Sequence, residues 1–252
     1  MNFRTSPLRA LALAGAALTV AAAPAQAQTL PTAQQVVARY VTAIGGEQAI
    51  AAQQFRRVQM EMAMPAAGMT MTVEMMQARP NKAVMNVEIP GLGSMRQGYD
   101  GKVAWSVNPM QGPKIMEGRE LADALRQFDF DANMRFSHLF RTMETAGRAE
   151  VNGEPCVNVR MVTEGGDEVL NCFADDDGLL VGSVVKTSTE AGQTESTITF
   201  HDYRDFGGLK MPARTSISAG GQQLDMTVKS MSTDPIDASV FELPAEIKAL
   251  QQ

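Results

Sequence analysis

Hydrophobic and polar positions change period along the chain. Over 32–54, Val36, Val37, Tyr40, Val41 and Ile44 recur at spacings that place them on one helical stripe. Thr32 with Gln35 forms a capping-box pattern just after Pro31, and Gly45-Gly46 stops this helix before a short second one over 47–54. From Arg57 the period is two. Met60, Met62 and Met64 alternate with polar or small residues, and after a turn at 65–68 Met69, Met71, Val73 and Met75 alternate again. Strands follow over 81–89, 94–100 and 103–108, separated by Pro80-Asn81, Pro90-Gly91 and Asp100-Gly101 turn signals. A helical insertion is expected over 118–143, with Leu121, Leu125 and Phe128 on one face and Leu139, Phe140 and Met143 on another. Strand patterns return at 148–151 and continue to Ser232, ahead of a closing segment and a frayed helix to Gln252.

These elements make an α+β chain that is mainly antiparallel β. About ten strands in consecutive order form one meander, which can close into a barrel or stay open and curl around its helices. No repeat or low-complexity linker divides residues 28–252, so one domain is expected there.

The N-terminus reads as a secretory signal over 1–27. Arg4 and Arg9 supply the positive region, 11–23 the apolar stretch, and Ala25-Gln26-Ala27 a small-residue cleavage site. The apolar stretch is shorter than the roughly 20 residues of a spanning helix, and no stop-transfer flank follows. A soluble periplasmic protein is the expectation.

Composition narrows the function. With a formal charge of -6, which becomes -8 once Arg4 and Arg9 are removed, the chain lacks the basic footprint of a nucleic-acid binder. There are 18 methionines against 2 histidines, and eleven of those methionines fall between Met60 and Met116. A strand face lined this way is soft and repacks around different apolar shapes, as an acyl-chain cavity requires; ordinary core packing is the plain alternative. Trp105 and Phe206 are the aromatics placed with this set, and core packing is the leading role for both. Thioethers also bind Cu(I), but His138 and His201 are distant and the methionines outnumber the needs of a compact site.

Catalytic patterns are absent from the sequence. There is no Gly-x-Ser-x-Gly elbow, His-Glu-x-x-His pair or phosphate loop. His201 and Asp202 are neighbours on a strand and point to opposite faces. Asp175-Asp176-Asp177-Gly178 lacks the alternate ligands of a calcium loop and reads as a turn. Arg135, Arg141 and Arg148 could meet an anionic head group, with a solvated face as the default reading. No catalytic residue, cofactor or metal is expected.

The two cysteines flank a hairpin turned by Gly165-Gly166. A two-residue turn pairs Glu164 with Asp167 and leaves Cys156 and Cys172 on opposite faces, whereas a three-residue loop is expected to bring them opposite each other but to pair Met161 with Asp167. Export favours a bridge and the register disfavours it; two buried thiols are the expectation.

Four motifs carry a resemblance: Tyr40-x-x-Ala43-x-Gly45-Gly46-x-x-Ala49, Gly98-x-Asp100-Gly101-x-x-Ala104-Trp105, Asp202-Tyr203-x-x-Phe206-Gly207-Gly208-x-Lys210-x-Pro212, and Phe241-x-x-Pro244. In this order they resemble bacterial outer-membrane lipoprotein-sorting-like proteins of the LolA/LolB-like superfamily, over about residues 32–244. The resemblance implies a strongly curved, unclosed half-barrel with helices plugging its concave face, and a lipid or lipoprotein acyl chain as cargo. The expected cavity lining is then Met60, Met62, Met64, Met69, Met71, Val73, Met75, Trp105 and Phe206. Val37, Tyr40, Val41 and Ile44, with Leu121, Leu125 and Phe128, would form plug and lid. The expected partners are a lipid or acylated lipoprotein with transient membrane contact, for a monomer. A scaffold or sensor module binding an envelope protein is the other reading.

Overall fold

The computed structural model describes residues 29–131, 139–189 and 192–251; the signal segment 1–27, Arg135 and His138 lie outside them. Among the described residues, thirteen antiparallel strands form one sheet. Strands β1 (Phe55–Met64), β2 (Met69–Ala78), β3 (Lys82–Ile89), β4 (Gly93–Tyr99), β5 (Ala104–Asn108) and β6 (Gly112–Ile115) make one arm. Strands β7 (Phe140–Val151), β8 (Glu154–Thr163), β9 (Glu168–Ala174), β10 (Leu180–Thr189), β11 (Gly192–Asp205), β12 (Lys210–Ala219) and β13 (Gln222–Ser232) make the other. Helices α1 (Ala33–Ala43) and α2 (Gly46–Ala52) precede the sheet, α3 (Gly118–Phe128) lies between the arms, and α4 (Ala245–Ala249) ends the chain.

The order is β6-β5-β4-β3-β2-β1-β13-β12-β11-β10-β9-β8-β7, so two meanders are joined by the first and last strands. This corrects the single consecutive meander: β6 and β7 are adjacent in sequence yet form the two edges, and the sheet is unclosed. Met231 of β13 pairs with Val58 of β1, which pairs with Met75 of β2. Met231 packs with α1 and Met75 with α3, so both helices lie on the same face of the sheet, the helical face.

Local chemistry sets the helices. Thr32 caps α1 in the expected box, its hydroxyl accepting from the Gln35 backbone while its own N–H donates to Gln35 Oε1 at 2.9 Å. Gly45 ends α1 at φ 126°, and a Cβ there would meet the Gly208 carbonyl at 2.4 Å. Two glycines far apart in sequence thus dock the end of α1 on the β11–β12 turn, where the Lys210 N–H donates to the Ile44 carbonyl at 2.9 Å. Val36, Val37, Tyr40, Val41 and Ile44 bury against Val157, Val159, Met161, Phe173 and Leu209.

The helical insertion is shorter than expected. α3 ends at Phe128, and Phe140 and Met143 belong to strand β7. A register shift between Phe140 and Thr142 inserts one residue, so Phe140 pairs with Thr163 and Met143 with Met161 on the same face. A bulge therefore reproduces the three-residue spacing of a helix. Along α3 the inward residues are Leu121, Ala124 and Phe128; Leu125 is 39% exposed, not part of the packed face.

Cys156 and Cys172 form a disulfide, with Cα atoms 5.5 Å apart. The expected thiols are corrected by the turn: Thr163 pairs with Asp167 around a three-residue loop, and Met161 meets Val169, not Asp167. Cys156 then faces Ala174 and Cys172 faces Asn158, so the cysteines are diagonal neighbours on one face, within bridging reach. That face is the one opposite the helices, where the bridge packs with Ala174 and Val181.

Candidate functional site

Register places the alternating methionines together. Met60 pairs with Val73, Met62 with Met71 and Met64 with Met69, while Met75 pairs with Val58. Continuing outward, Val73 meets Val87, Met75 meets Met85, and Val87 meets Met95; on the other side Met62 meets Met226. All lie on the helical face, because directly paired residues in an antiparallel sheet share a face.

α3 covers only the end of this field, packing on Met75 and Met85. The rest is a cluster of strand residues: Met71, Val73 and Val87 are buried, and Met60, Met62, Met64, Met69, Ile89 and Met95 are partly exposed. At the same end of the sheet the turns 65–68, 90–92 and 109–111 carry no charged residue, and Leu92 and Met110 are exposed at 55% and 84%. Among the described residues, no helix is long and apolar enough to cross a membrane.

Two aromatics leave the expected lining. Trp105 is fully buried on the opposite face, with Met76, Val84, Phe241 and Ile247. Ala104, its neighbour, occupies the helical face instead, since adjacent strand residues alternate. Gly98 is paired with Trp105, and a Cβ there would come within 2.8 Å of the indole, so the glycine makes the space for the ring. Phe206 lies in the β11–β12 turn near α1, at the far end from the β1–β2 turn. Helix residues Val37, Tyr40, Val41 and Ile44 pack on the β7–β13 arm, not on the methionine strands.

At the other end of the methionine strands is a group of polar residues that sequence reasoning missed. Arg56 pairs with Gln77 on the helical face and is buried. Its Nε and Nη2 donate to Gln53 Oε1 at 3.2 and 2.9 Å. Arg79 donates to both oxygens of Asp131, at 2.7 and 2.5 Å, and to the Gln53 and Ile50 carbonyls that end α2. Both guanidinium groups lie over the Phe130 ring, Arg56 at 4.4 Å and Arg79 at 4.6 Å from its centroid. Burial pushes Arg56 down to about 10, against the attraction of Asp131 and with the repulsion of Arg79. The one sequence signal for this site is an arginine in phase with the apolar positions Val58, Met60, Met62 and Met64.

Clefts lie elsewhere. One of about 480 Å³ beside α1 is lined by Val36, Arg39, Arg148, Val157 and Phe173. It is polar at its rim, where Arg39 donates to the Asp175 and Asp176 carbonyls and Arg148 pairs with Asp175. Another of about 290 Å³ at the end of α3 is lined by Tyr99, Leu125, Phe128 and Phe130. Glu154, Asp176 and Asp177 bring carboxylate oxygens within 4.8 Å of one another. The Glu154 carboxyl is pushed up by burial first and by those two neighbours next. Asp177 Oδ1 also accepts the Leu179 N–H, the turn role expected of this stretch.

An unclosed antiparallel sheet carrying α1, α2, α3 and an apolar stripe on one face, with α4 on the other, defines the class of fold. It is that of LolA superfamily and lipoprotein-sorting domain structures. The chain is similar to a LolA superfamily protein from Nitrosomonas europaea, with TM-score 0.59 and 13% identity over 85% of this chain and 99% of that one. It is also similar to a DUF1329 family protein from Desulfovibrio piger, with TM-score 0.60 and 10% identity over 83% and 97%. A putative outer membrane lipoprotein-sorting protein domain from Vibrio parahaemolyticus matches with TM-score 0.56 and 12% identity over 83% and 94%. No protein-family profile and no curated protein sequence matches the chain.

Proposed function

We propose that the chain is a periplasmic carrier, a single domain that binds a lipid or lipoprotein acyl chain on its methionine face and makes or breaks no bond. The observation that carries this reading is the shared face of Met60, Met62, Met64, Met69, Met71 and Val73, which packs beneath no described helix. In this reading the sheet is strongly curved and its helical face is concave. The acyl chain leaves water for that face, gaining about 0.8 kcal/mol per buried CH2. Unbranched thioether side chains let one face fit chains of different shape. α1 acts as a plug fixed to the β7–β13 arm, and α3 as the lid over Met75 and Met85. The uncharged turns at the open end are where cargo passes to and from a membrane surface, by transient contact of a monomer. The Cys156–Cys172 bridge supports an oxidising compartment, consistent with export by the 1–27 segment.

Native extraction followed by mass spectrometry of co-purified lipids, with a fluorescent fatty-acid probe titrated onto the purified protein, tests the reading. Bound lipid and a saturable change in probe emission are expected. A lipid-free protein that leaves the probe unchanged overturns the carrier and favours a protein-binding envelope module of the same fold.

A further inference from the structure

Arg56 stands at the foot of the methionine stripe. Along β1 it precedes Val58, Met60, Met62 and Met64 on the same face, and it is only 8% exposed. A guanidinium carries five N–H donors. Among the described residues, those of Arg56 find only a neutral partner, the Gln53 amide oxygen. Its guanidinium carbon lies over the Phe130 ring, a weak substitute for an anion. The carboxylate acting on it, Asp131, is engaged through both oxygens by Arg79. Two guanidinium groups therefore share one carboxylate, and the more buried of them has no anion in hydrogen-bond contact. Beside it, Gln53 Nε2 is a second buried donor without an acceptor, in a residue only 6% exposed.

A buried cation without a paired anion is costly, and so is a buried donor without an acceptor. Both costs fall on adjacent groups, and both are relieved by the same ligand atom type. An anionic oxygen placed there accepts from Arg56 and from Gln53 together.

We propose that Arg56 and Gln53 are the head-group anchor of the acyl site, and that its ligand is a single-chain anionic amphiphile with a carboxylate or phosphate head. This rests on the acyl-chain reading above and adds orientation and ligand class to it. The head sits at Arg56 and the chain runs along Val58, Met60, Met62 and Met64, a span of about 26 Å at roughly 3.3 Å per residue. Phe130, two residues beyond the end of α3, leaves the guanidinium as the anion arrives, which couples head-group binding to the lid.

Displacement of a bound fluorescent fatty-acid probe near neutral pH tests this with three competitors of equal chain length: palmitate, hexadecyl phosphate and hexadecanol. At least one anion is expected to compete about tenfold or more better than the alcohol, as a charge-assisted hydrogen bond implies. The order of palmitate and hexadecyl phosphate identifies which head is preferred. Arg56→Gln should bring the anions to the level of the alcohol. Arg56→Lys, which keeps the charge, should retain part of the preference and serves where the glutamine variant fails to fold. Equal competition by all three on the native protein, or an anion preference that survives Arg56→Gln, overturns the anchor and leaves the acyl-chain site standing. A probe that does not bind, or that none of the three displaces, overturns both.

Discussion

Arg119 of α3 and Asp167 of the β8–β9 turn join the two arms of the sheet where no strand pairing does. Arg119 Nη2 donates to Asp167 Oδ1 at 2.9 Å and Oδ2 at 3.2 Å, and Arg126 stands 3.8 Å from the same carboxylate. Asp167 is buried, and its backbone is fixed in the turn by bonds to Thr163 in both directions. The arginines are half-exposed, so the contact is anchored on one side and adjustable on the other. Asp167→Asn removes the charge that both arginines share. It should lower stability by about 1 kcal/mol, the upper range for partly exposed pairs. Hydrogen exchange should quicken over 118–128 while the β1–β13 seam stays protected. Unchanged exchange in α3 would show that its packing on Ala83 and Ala104 alone holds it.

The Cys156–Cys172 bridge closes a 16-residue separation across β8 and β9. Chain-entropy reasoning gives such a closure about 3 kcal/mol through the unfolded state. The paired variant Cys156→Ala with Cys172→Ala should therefore unfold at lower denaturant, with binding on the methionine face retained because the bridge lies on the opposite face. Chemical unfolding of native and reduced protein gives the same comparison. Equal midpoints with and without reductant would refute it.

Much of this architecture was legible in the sequence, and the gaps have physical causes. Alternation of Met60, Met62 and Met64 is a local property of one strand, as is the Thr32 to Gln35 cap of one helix. Pairing of β1 with β13 joins residues 57 and 232 and leaves no local pattern. The cysteine register turned on one residue of loop length, which moves every side chain to the other face. The face of Trp105 carries no local signal, because its strand is short and both Ala104 and Trp105 are apolar, so alternation gives no phase. Arg56 stands one residue ahead of Arg57, where the period-two reading begins. Only tertiary structure brings Gln53, Phe130 and the Arg79–Asp131 pair around it.

Met62 and Trp105 provide a direct test of which face binds. Met62 is partly exposed on the helical face, and Trp105 is fully buried on the other. Met62→Asp should weaken fatty-acid probe binding while costing little stability. Trp105→Ala should cost about 3–5 kcal/mol by opening a cavity beneath Phe241 and Ile247, with probe affinity of the remaining folded protein unchanged. Unfolding curves and probe titrations on both variants check this. If Met62→Asp loses stability and binding in equal measure, the methionine face is ordinary core.

Alkaline pH should loosen α1 first. Tyr40 is buried against Phe173 at a centroid distance of 5.4 Å, and burial pushes its phenol up to about 12 from 10.0. Tyr203 shifts in the same direction, mainly by burial, and its hydroxyl donates to the Leu180 carbonyl at 2.8 Å. The folded state therefore holds the Tyr40 proton more tightly than the unfolded state. Its contribution is fully present below pH 10 and is lost as the pH rises to about 12. Two units correspond to roughly 3 kcal/mol for Tyr40. Stability measured by denaturant midpoint should fall across this window, together with a late phenolate absorbance change. Tyr40→Phe should remove part of the slope above pH 10 and leave the curve below it flat. A Tyr40→Phe protein with the native slope would place the alkaline sensitivity outside the packing of α1.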